Sequence, residues 1–345
     1  MRILVVTDAW HPQINGVVRA LETTAAHARA LGVEIAFLNP QPFTTVPIPT
    51  YEEIRLSLAT RTKVARMIDK ARADYVHIAT EGTLGHLARS ICIKEGRLFT
   101  TSFHTKLPEY LAVRKVMPCR LTYAYLRNFH NAGAGTMVSN ASLDAELANH
   151  GFRNLMRWQR GVDCETFRPL SMQPDAPADA LLSDLPGPVH LYVGRVSVEK
   201  NLEAFLDLNL PGTKVVTGRG PQLDELIEAY PDVVFTGPRS GAALAATYAS
   251  ADVFVFPSLT DTLGLVCLEA MASGVPVAAY PVTGPGDIIG YGGAVDADLG
   301  AAIERALTVP SETARARALE FTWEKATGQF VDNVLVANRA PRLAA

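Results

Sequence analysis

Short runs of β-branched and aromatic residues alternate, in the first half of the chain, with stretches whose apolar positions recur at helical spacing. The runs predict strands, and the stretches at 17–31 and 61–73 predict two of the helices between them. Strands that alternate with helices are typical of βαβ units, and such units build a parallel sheet. The strands predicted for this half are 2–7, 33–38, 74–79, 98–103 and 135–138.

A break in this pattern divides the chain. Residues 171–188 contain four prolines and few strand-forming residues, which is typical of a linker. The alternation then starts again, with strands predicted at 189–194, 213–218, 233–236, 252–256 and 275–279. We therefore expect an α/β protein of two tandem Rossmann-like domains with a cleft between them. The predicted divisions are a first domain at 1–170, the linker at 171–188, a second domain at 189–321, and a C-terminal helix and tail at 322–345.

The composition is that of a globular protein. Hydrophobic residues make up 48% of the 345 positions and charged residues 19%, which excludes a disordered chain. No apolar run reaches the length of about 18 residues that a transmembrane helix needs. The short apolar start indicates a strand and not a secretory signal. The four cysteines form no CxxC pair, which favours a reducing, cytoplasmic compartment.

Charge is distributed unevenly along the chain. Residues 1–168 hold 21 Lys and Arg against 14 Asp and Glu, whereas the remainder holds 11 against 21. The first part therefore carries +7 and the second −10, although the net charge is only −3. A basic half predicts a surface that faces an anionic partner. A nucleic acid is not favoured as that partner, because the whole chain is acidic and no nucleic-acid-binding motif is present.

The loops that follow the predicted strands are where ligand-binding residues are expected, since ligands of open parallel sheets bind at the carboxyl ends of the strands. In the second domain, Arg195 and Lys200 follow the first strand and Gly218 follows the second. An arginine fork and a mobile lysine charge suit a diphosphate, and a glycine lets backbone approach a ligand closely. The same residues also fit roles that need no ligand: Arg195 and Lys200 fit a solvated helix start, and Gly218 fits an ordinary turn.

The most specific pattern follows the fourth predicted strand of the second domain. Asp261 stands in the loop, Gly264 precedes a helix, and the amides of Leu265 and Val266 fall in its first turn, where they can bind phosphate oxygens. Glu269 follows within reach of a diol such as ribose, and Asp261 can accept hydrogen bonds from sugar hydroxyls. The alternative is a capping aspartate and a paired glutamate. The cost of burying an unpaired glutamate favours a ligand.

The candidates in the first domain carry a weaker signal. Gly16 lies in the loop after the first strand, where a helix N-terminus suits an anion but a tight turn fits equally well. His104 directly follows the predicted strand at 98–103, and a lone histidine there is more often structural. A functional role for His104 is favoured because the residue would face the same cleft. The residues that we assign to the acceptor side are Tyr51, Glu81, Lys106 and Tyr110.

Together these segments resemble, in this order, the family 4 glycosyltransferases of the GT-B fold. The resemblance covers nearly the whole chain, and its strongest mark is the acid-x7-acid element formed by Asp261 and Glu269. The motifs Thr-Asp-Thr-Leu-Gly and His-Thr-Lys-x-Pro-Glu-Tyr are similar to those of bacterial glycolipid glycosyltransferases, which are related to sulfoquinovosyl- and mannosyl-lipid enzymes. The chain departs from the family pattern at Asp261, where the usual residue is a longer glutamate, and at Arg219, where an acid is common.

The resemblance implies transfer with retention of anomeric configuration, no catalytic metal or cofactor, and a final helix that crosses back onto the first domain. The sequence Asp296-Ala-Asp298 looks like a DxD metal motif, but nothing near it supplies further ligands, so no metal site is predicted. The resemblance implies that Arg195 and Lys200 bind the diphosphate and that Glu269 binds the ribose. It implies that Asp261 and the turn at 263–266 contact the donor sugar and phosphates. It also implies that Gly16 allows close approach to the diphosphate and that His104 lies beside the transferred sugar.

We therefore expect a retaining glycosyltransferase that moves a hexose or hexuronic acid from a nucleotide diphosphosugar, with UDP favoured, to a membrane lipid such as diacylglycerol. Residues 105–130 interleave basic with aliphatic and aromatic residues, which is typical of an interfacial segment, although a core helix pair fits equally well. The resemblance and the basic first half favour attachment to the anionic inner face of the cytoplasmic membrane. The alternatives are a GDP-mannose-dependent α-mannosyltransferase and a nucleotide-sugar epimerase on the same fold.

Overall fold

The computed structural model of the protein describes residues 1–12, 16–48, 51–113, 116–172 and 179–339, with the side chains of residues 48, 51–54 and 113 left out of the description. The chain divides into two compact units. The first unit comprises Met1–Arg160 together with Trp323–Ala345, and the second comprises Gly161–Thr322. Each unit is built around its own parallel sheet.

The first unit alternates strands and helices as the sequence predicts. Its strands are β1 (Arg2–Val6), β2 (Glu34–Leu38), β3 (Thr45–Ile48), β4 (Tyr51–Ser57), β5 (Tyr75–Ile78), β6 (Phe99–Ser102), β7 (Gly135–Val138) and β8 (Leu155–Arg157), and its helices are α1 (Gly16–Ala28), α2 (Arg61–Ala71), α3 (Thr83–Glu95), α4 (Leu107–Val113), α5 (Cys119–His130) and α6 (Ala141–Asn149). Six of the strands form a parallel sheet in the order β2-β1-β5-β6-β7-β8, and β3 pairs with β4 in an antiparallel hairpin.

The continuous apolar run of β1 has a direct structural cause. Leu4 and Val6 pack into a core that α2 and α3 cover, whereas Ile3 and Val5 pack into a second core on the opposite face. Successive side chains of a strand point to opposite faces, so a strand with helices on both faces must be apolar at every position. The carboxyl edge of the sheet is left for polar loops.

The second unit repeats this design. Its strands are β9 (Val189–Val193), β10 (Thr213–Thr217), β11 (Val234–Gly237), β12 (Val253–Phe256), β13 (Val277–Ala279) and β14 (Gly293–Val295), and its helices are α7 (Ala180–Ser183), α8 (Glu203–Leu206), α9 (Leu223–Ala229), α10 (Gly241–Ala249), α11 (Leu265–Ala272), α12 (Pro285–Ile288), α13 (Leu299–Ala306) and α14 (Ser311–Ala318). All six strands are parallel, in the order β11-β10-β9-β12-β13-β14.

The last helix, α15 (Trp323–Arg339), belongs to the first unit, which confirms its predicted return. Phe330 and Val334 are buried in the core that also holds Ile3 and Val5. Gln329 accepts a hydrogen bond from the Gln159 amide (2.9 Å) beyond the edge strand β8. The helix therefore covers one face of the first sheet and also holds the chain that leaves its edge.

The two units divide at a different place from the predicted boundary at residue 170. Residues 161–170 belong to the second unit, where Val162 and Phe167 are part of the core. Arg315 of α14 fixes this segment by donating to the carbonyl oxygens of Phe167 (3.2 Å) and Cys164 (3.3 Å). One third of the predicted linker, residues 173–178, lies outside the described residues.

Candidate active site

The loop that follows β9 carries Arg195 and Lys200. It begins by extending the pairing of β9 with β10, because the Gly194 amide donates to the Thr217 carbonyl (3.0 Å). A single 3₁₀ turn, Val198–Lys200, then places Lys200 at its end. Both side chains are partly buried, and both lie at the carboxyl edge of the second sheet, where the sequence predicts diphosphate binding.

Lys200 forms an ion pair with Asp261 that the sequence reasoning missed. Its Nζ lies 2.7 Å from each carboxylate oxygen, and the two side chains are 16% and 17% exposed. The pair links the loop after β9 to the loop after β12. Asp261 therefore orients the cation that is predicted to meet the leaving phosphate, and its predicted contact with the donor sugar stays a prediction.

The N-terminus of α11 lies beside this ion pair. Gly264 precedes the helix with a φ of +84°, and a Cβ there would lie 3.2 Å from the Cys267 sulfur. Leu265 and Val266 form the first turn and are partly buried. The first N–H groups of a helix have no partner within it and carry the positive end of the dipole. This turn can therefore bind phosphate oxygens, as the sequence predicts.

Glu269 is buried one turn further along α11, with 6% of its surface exposed. Its Oε2 accepts a hydrogen bond from the hydroxyl of Tyr248 on α10 (3.1 Å). Tyr248 is fully buried and packs edge-on against Phe167. Sequence reasoning missed Tyr248, although a lone polar aromatic in the alanine-rich stretch Gly241–Ala249 could have indicated a partner for the buried acid. The tyrosine fixes one carboxylate oxygen of the predicted ribose ligand.

Gly218 allows the loop after β10 to pack against the loop after β9. A Cβ at Gly218 would lie only 1.8 Å from the Gly194 carbonyl oxygen, and its φ is +149°. The Gly218 amide also donates to the Gly237 carbonyl (3.0 Å). The described contacts of Gly218 are therefore with neighbouring backbone, and the predicted contact with the donor stays a prediction.

We expect Gly218→Ala to lower the free energy of unfolding by roughly 2–4 kcal/mol, because the methyl group meets immovable backbone at a φ that favours glycine. Urea denaturation measures the change. Gly328→Ala is the matched control, since a Cβ there meets nothing within 4 Å and the residue lies within α15. Equal unfolding midpoints for Gly218→Ala and the wild type would contradict the packing argument.

The carboxyl edge of the first sheet gathers a second set of polar groups. Glu81 follows β5 and accepts a hydrogen bond from His130 Nε2 (3.0 Å) at the end of α5. The His130 ring is fully buried, and its Nδ1 lies 2.9 Å from the Thr101 hydroxyl. The side chain of Glu81 is 22% exposed, so it is held from inside the protein and reaches the surface. This placement is compatible with the predicted acceptor-side role.

His104 follows β6 at the same edge. Its Nδ1 lies 3.0 Å from a terminal nitrogen of Arg160, a buried residue that the sequence reasoning missed. Burial, followed by the charge of Arg160, holds the pKa of His104 well below its ordinary value. His104 is therefore a neutral imidazole near neutral pH.

Asp8 is a further acid at this edge that the sequence reasoning missed. It is buried just beyond β1 and accepts hydrogen bonds from the amides of Leu84 (2.8 Å) and Gly85 (3.2 Å) in the first turn of α3. Burial raises the pKa of Asp8, and the helix amides oppose that rise. An acid directly after the first strand, in Val-Val-Thr-Asp, was the signal for it. Its contacts are those of a helix cap.

The remaining candidates of the first unit are not all brought together. Lys106 is buried and pairs with Glu146 of α6 at 2.7 Å, so the described contact ties α6 to the loop before α4. Tyr110 is partly buried in α4. Gly16 is exposed as the first residue of α1, and the preceding residues 13–15 lie outside the described chain. Tyr51 begins β4, but its side chain lies outside the description.

The DxD-like sequence has structural partners in the fold. Asp298 caps α13 by accepting a hydrogen bond from the Gly300 amide (2.9 Å), and Asp296 pairs with Arg305 at 2.7 Å. Across the part of the chain that the structure describes, no group of three or more His, Cys, Asp or Glu side chains is placed to hold a metal ion.

Two family profiles match the chain, one over most of the first unit and one over most of the second. The profile for Glycosyltransferase Family 4 matches residues 14–166, and the profile for Glycosyl transferases group 1 matches residues 187–318. The matches therefore cover the whole second sheet and every strand of the first sheet except β1.

Curated relatives include glycosyltransferases of three kinds. Sulfoquinovosyl transferase SQD2 of Arabidopsis thaliana is 33% identical over 259 residues, which are 70% of this chain and 49% of that protein, so the chain spans about half of its length. A GDP-mannose-dependent alpha-mannosyltransferase of Mycolicibacterium smegmatis is 32% identical over 317 residues, 84% of this chain and 82% of that protein. An alpha-monoglucosyldiacylglycerol synthase of Streptococcus pneumoniae is 25% identical over 320 residues, 81% of this chain and 71% of that protein.

Solved structures share the fold at lower identity. The Anabaena protein HepE, crystallised with UDP and glucose, has a TM-score of 0.71 at 15% identity, over 97% of this chain and 100% of that one. Sucrose-phosphate synthase of Thermosynechococcus elongatus has a TM-score of 0.74 at 20% identity, over 97% and 99%. The fold is the GT-B fold of glycosyltransferases. With a profile match on each unit and a 32% identical relative covered over 82% of its length, the chain belongs to the family 4 glycosyltransferases.

Proposed function

We propose that the protein is a retaining glycosyltransferase that moves a hexose or hexuronic acid from a nucleotide diphosphosugar to a membrane lipid such as diacylglycerol. The observation that carries the proposal is at the carboxyl edge of the second sheet, where the Lys200–Asp261 pair joins the loop after β9, which also carries Arg195, to the loop that leads into α11. Two cations and a helix N-terminus suit a diphosphate, and the buried Glu269 suits a ribose diol. UDP is the favoured nucleotide, since HepE was crystallised with UDP.

The chemical task is to break the bond between the anomeric carbon and the diphosphate. Arg195, Lys200 and the α11 amides stabilise the negative charge that develops on the leaving oxygen. The acceptor hydroxyl attacks the same face of the sugar, its oxygen bonds to the anomeric carbon, and its proton passes to the leaving phosphate. This course retains the anomeric configuration and uses the leaving group as the base.

An exposed apolar surface on the first unit supports a lipid acceptor. Val116, Leu121 and Tyr125, on α5 and in the turn before it, are 65%, 59% and 46% exposed, and Arg120 is exposed beside them. Apolar side chains flanked by cations are typical of a segment that lies on an anionic bilayer. Arg114 and Lys115 of the same segment lie outside the described residues. We therefore propose peripheral attachment to the inner face of the cytoplasmic membrane. No helix within the described ranges combines the length and apolarity that crossing a bilayer requires.

We expect the protein to sediment with vesicles that contain anionic lipid, and to do so less at high salt. Replacing Val116 and Leu121 together with serine should weaken binding by roughly 10-fold or more, because both side chains lose apolar burial in the lipid. Arg120→Ala should weaken it by about 5-fold, which corresponds to about 1 kcal/mol for one basic residue near the surface. Val336→Ser, at a 58% exposed position of α15, is the matched control. Equal sedimentation of all variants would remove the membrane claim.

A transfer assay tests the proposed reaction. The protein is incubated with a panel of nucleotide sugars and lipid extracts, and mass spectrometry follows the lipids and the nucleotide sugars together. We expect a glycosylated lipid and a free nucleoside diphosphate. An epimerised nucleotide sugar formed without an acceptor would support the epimerase alternative instead.

A GDP-mannose-dependent α-mannosyltransferase is the second candidate. It is favoured by the relative of that name, which is 32% identical over 84% of this chain. The same assay separates the two candidates, because product would then form from GDP-mannose and not from UDP-sugars.

A further inference from the structure

Arg160 is a buried cation in an unusual setting. Only 5% of its surface is exposed, yet no carboxylate among the described residues lies within ion-pair distance of its guanidinium. One terminal nitrogen donates to the Trp158 carbonyl (2.7 Å) and the Gln159 carbonyl (3.3 Å), and the group lies 3.8 Å from the centre of the Trp158 ring. The other terminal nitrogen lies 3.0 Å from Nδ1 of His104. Burial lowers the pKa of Arg160 to about 9, so the group stays cationic at neutral pH.

The contact with Arg160 decides which nitrogen of His104 carries the proton. A guanidinium has only N–H donors, so Nδ1 of His104 must accept. A neutral imidazole that accepts at Nδ1 has its proton on Nε2. Protonation of Nδ1 would remove this hydrogen bond and place a second positive charge 3.0 Å from the first.

We propose that Arg160 is a positioning residue that holds His104 as an Nε2–H hydrogen-bond donor, so that His104 meets the substrate as a donor and not as a general base. The surrounding groups fit this assignment. His77 of β5 is buried between the hydroxyls of Thr100 and Ser102 (2.9 Å each), and His130 of α5 binds Glu81. Glu81, the carboxylate beside these histidines, therefore binds His130.

The proposal deepens the proposed function and rests on it for the substrate. If a sugar or acceptor oxygen lies beside His104, that oxygen accepts the Nε2–H bond. Removal of the proton from the acceptor hydroxyl is then left to the departing phosphate, which is the course that front-face transfer requires. A histidine base that acts through Nε2 would instead need a lone pair on that nitrogen, and the contact with Arg160 assigns the lone pair to Nδ1.

Nitrogen NMR of the protein with ¹⁵N-labelled histidine tests the assignment without any assay of activity. His104→Gln identifies the His104 signals by their loss. In the wild type, we expect the pattern of the Nε2–H tautomer, unchanged from about pH 8 to about pH 5.5, where an ordinary histidine becomes charged. A proton on Nδ1, or a titration of His104 in this range, would overturn the proposal. Failure of the transfer assay would leave this result intact, so the two hypotheses fail separately.

Variants of Arg160 test which residue sets the tautomer. Arg160→Lys keeps a group that can only donate, and we expect the Nε2–H pattern to persist. Arg160→Met removes the donor, and we expect His104 to show a mixture of tautomers or to titrate. An unchanged spectrum in a folded Arg160→Met protein would show that Arg160 does not position His104. If this variant fails to fold, the wild-type spectrum still decides the tautomer.

Two variants of His104 test the donor role in turnover. The side-chain amide of His104→Gln can place an N–H near the position of Nε2, whereas His104→Phe keeps a flat ring and no donor. We expect His104→Gln to retain a kcat/KM at least 10-fold above that of His104→Phe, which is about 1.4 kcal/mol for one hydrogen bond. Equal losses in both variants, with a kcat that falls below about pH 6.5 in the wild type, would indicate a base instead.

Discussion

Replacing Lys200 with alanine should lower kcat/KM for the nucleotide sugar by roughly 10²–10³-fold, mostly through kcat, because the leaving diphosphate loses a charge aimed at it. The size of the effect follows from the geometry. Lys200 is 16% exposed and is held through two 2.7 Å contacts with Asp261. Its charge is therefore partly shielded from water, and its side chain is already oriented before the reaction. Arg195→Ala should show a loss of similar size.

Steady-state kinetics with the best donor of the panel measures the loss. Arg305→Ala is the matched control, because Arg305 also pairs with an aspartate at 2.7 Å but is 56% exposed on α13. An exposed ion pair contributes about 0–1 kcal/mol, so this variant should behave as the wild type. Unchanged kinetics of Lys200→Ala would contradict the role of the ion pair.

A double-mutant cycle separates the two roles of Asp261. If the carboxylate acts only by orienting Lys200, then Asp261→Asn combined with Lys200→Ala should lose no more activity than Lys200→Ala alone. If Asp261 also contacts the donor sugar, as the family resemblance implies, the combined loss should be larger. The cycle therefore tests the predicted sugar contact directly.

Glu269→Gln should raise KM for the donor by roughly 10–100-fold with a smaller change in kcat, because one or two hydrogen bonds to a charged acceptor are lost. The glutamine amide is neutral, whichever of its two ends faces the Tyr248 hydroxyl, so the strong acceptor for a ribose diol is gone. Tyr248→Phe should raise KM only a few-fold, since it removes the orienting contact and leaves the carboxylate in place.

Initial rates at varied donor concentration measure both effects. Glu304→Gln, at an exposed position of α13, is the control for loss of an acidic charge and should leave KM unchanged. A KM for Glu269→Gln equal to that of the wild type would show that the carboxylate serves packing and not the nucleotide.

The strands of both sheets were predictable to within one or two residues where they are buried on both faces. β7 begins and ends where predicted, and β1 ends one residue before the predicted run does, because continuous apolar runs between helices leave little freedom of register. The strands that were missed are edge or hairpin strands. β8 and β14 have only three residues each, β14 begins with glycine, and β3 contains a proline, so none carries the apolar run of a central strand.

The candidate site was predictable where a single loop carries its own pattern. The loop after β9 and the turn before α11 are contiguous in sequence, so Arg195, Lys200 and Glu269 stand out by position. The partners that fix them come from elsewhere: Asp261 is 61 residues from Lys200, and Tyr248 is 21 residues from Glu269. Sequence spacing cannot reveal such pairs, since they depend on how neighbouring strands bring their loops together. Arg160 was missed for the same reason, being 56 residues from His104.

Titration calorimetry of nucleosides and nucleoside diphosphates tests whether the second unit is built around a diphosphate. The pairs uridine and UDP, and guanosine and GDP, are compared on the wild type and on the Arg195→Ala, Lys200→Ala double variant. We predict that one diphosphate binds the wild type about 100-fold or more tightly than its nucleoside, from two charged contacts of about 1.5 kcal/mol each, and that the double variant loses this advantage. Equal affinities of diphosphate and nucleoside in the wild type, or an advantage that the double variant retains, would show that Arg195 and Lys200 do not form a diphosphate site.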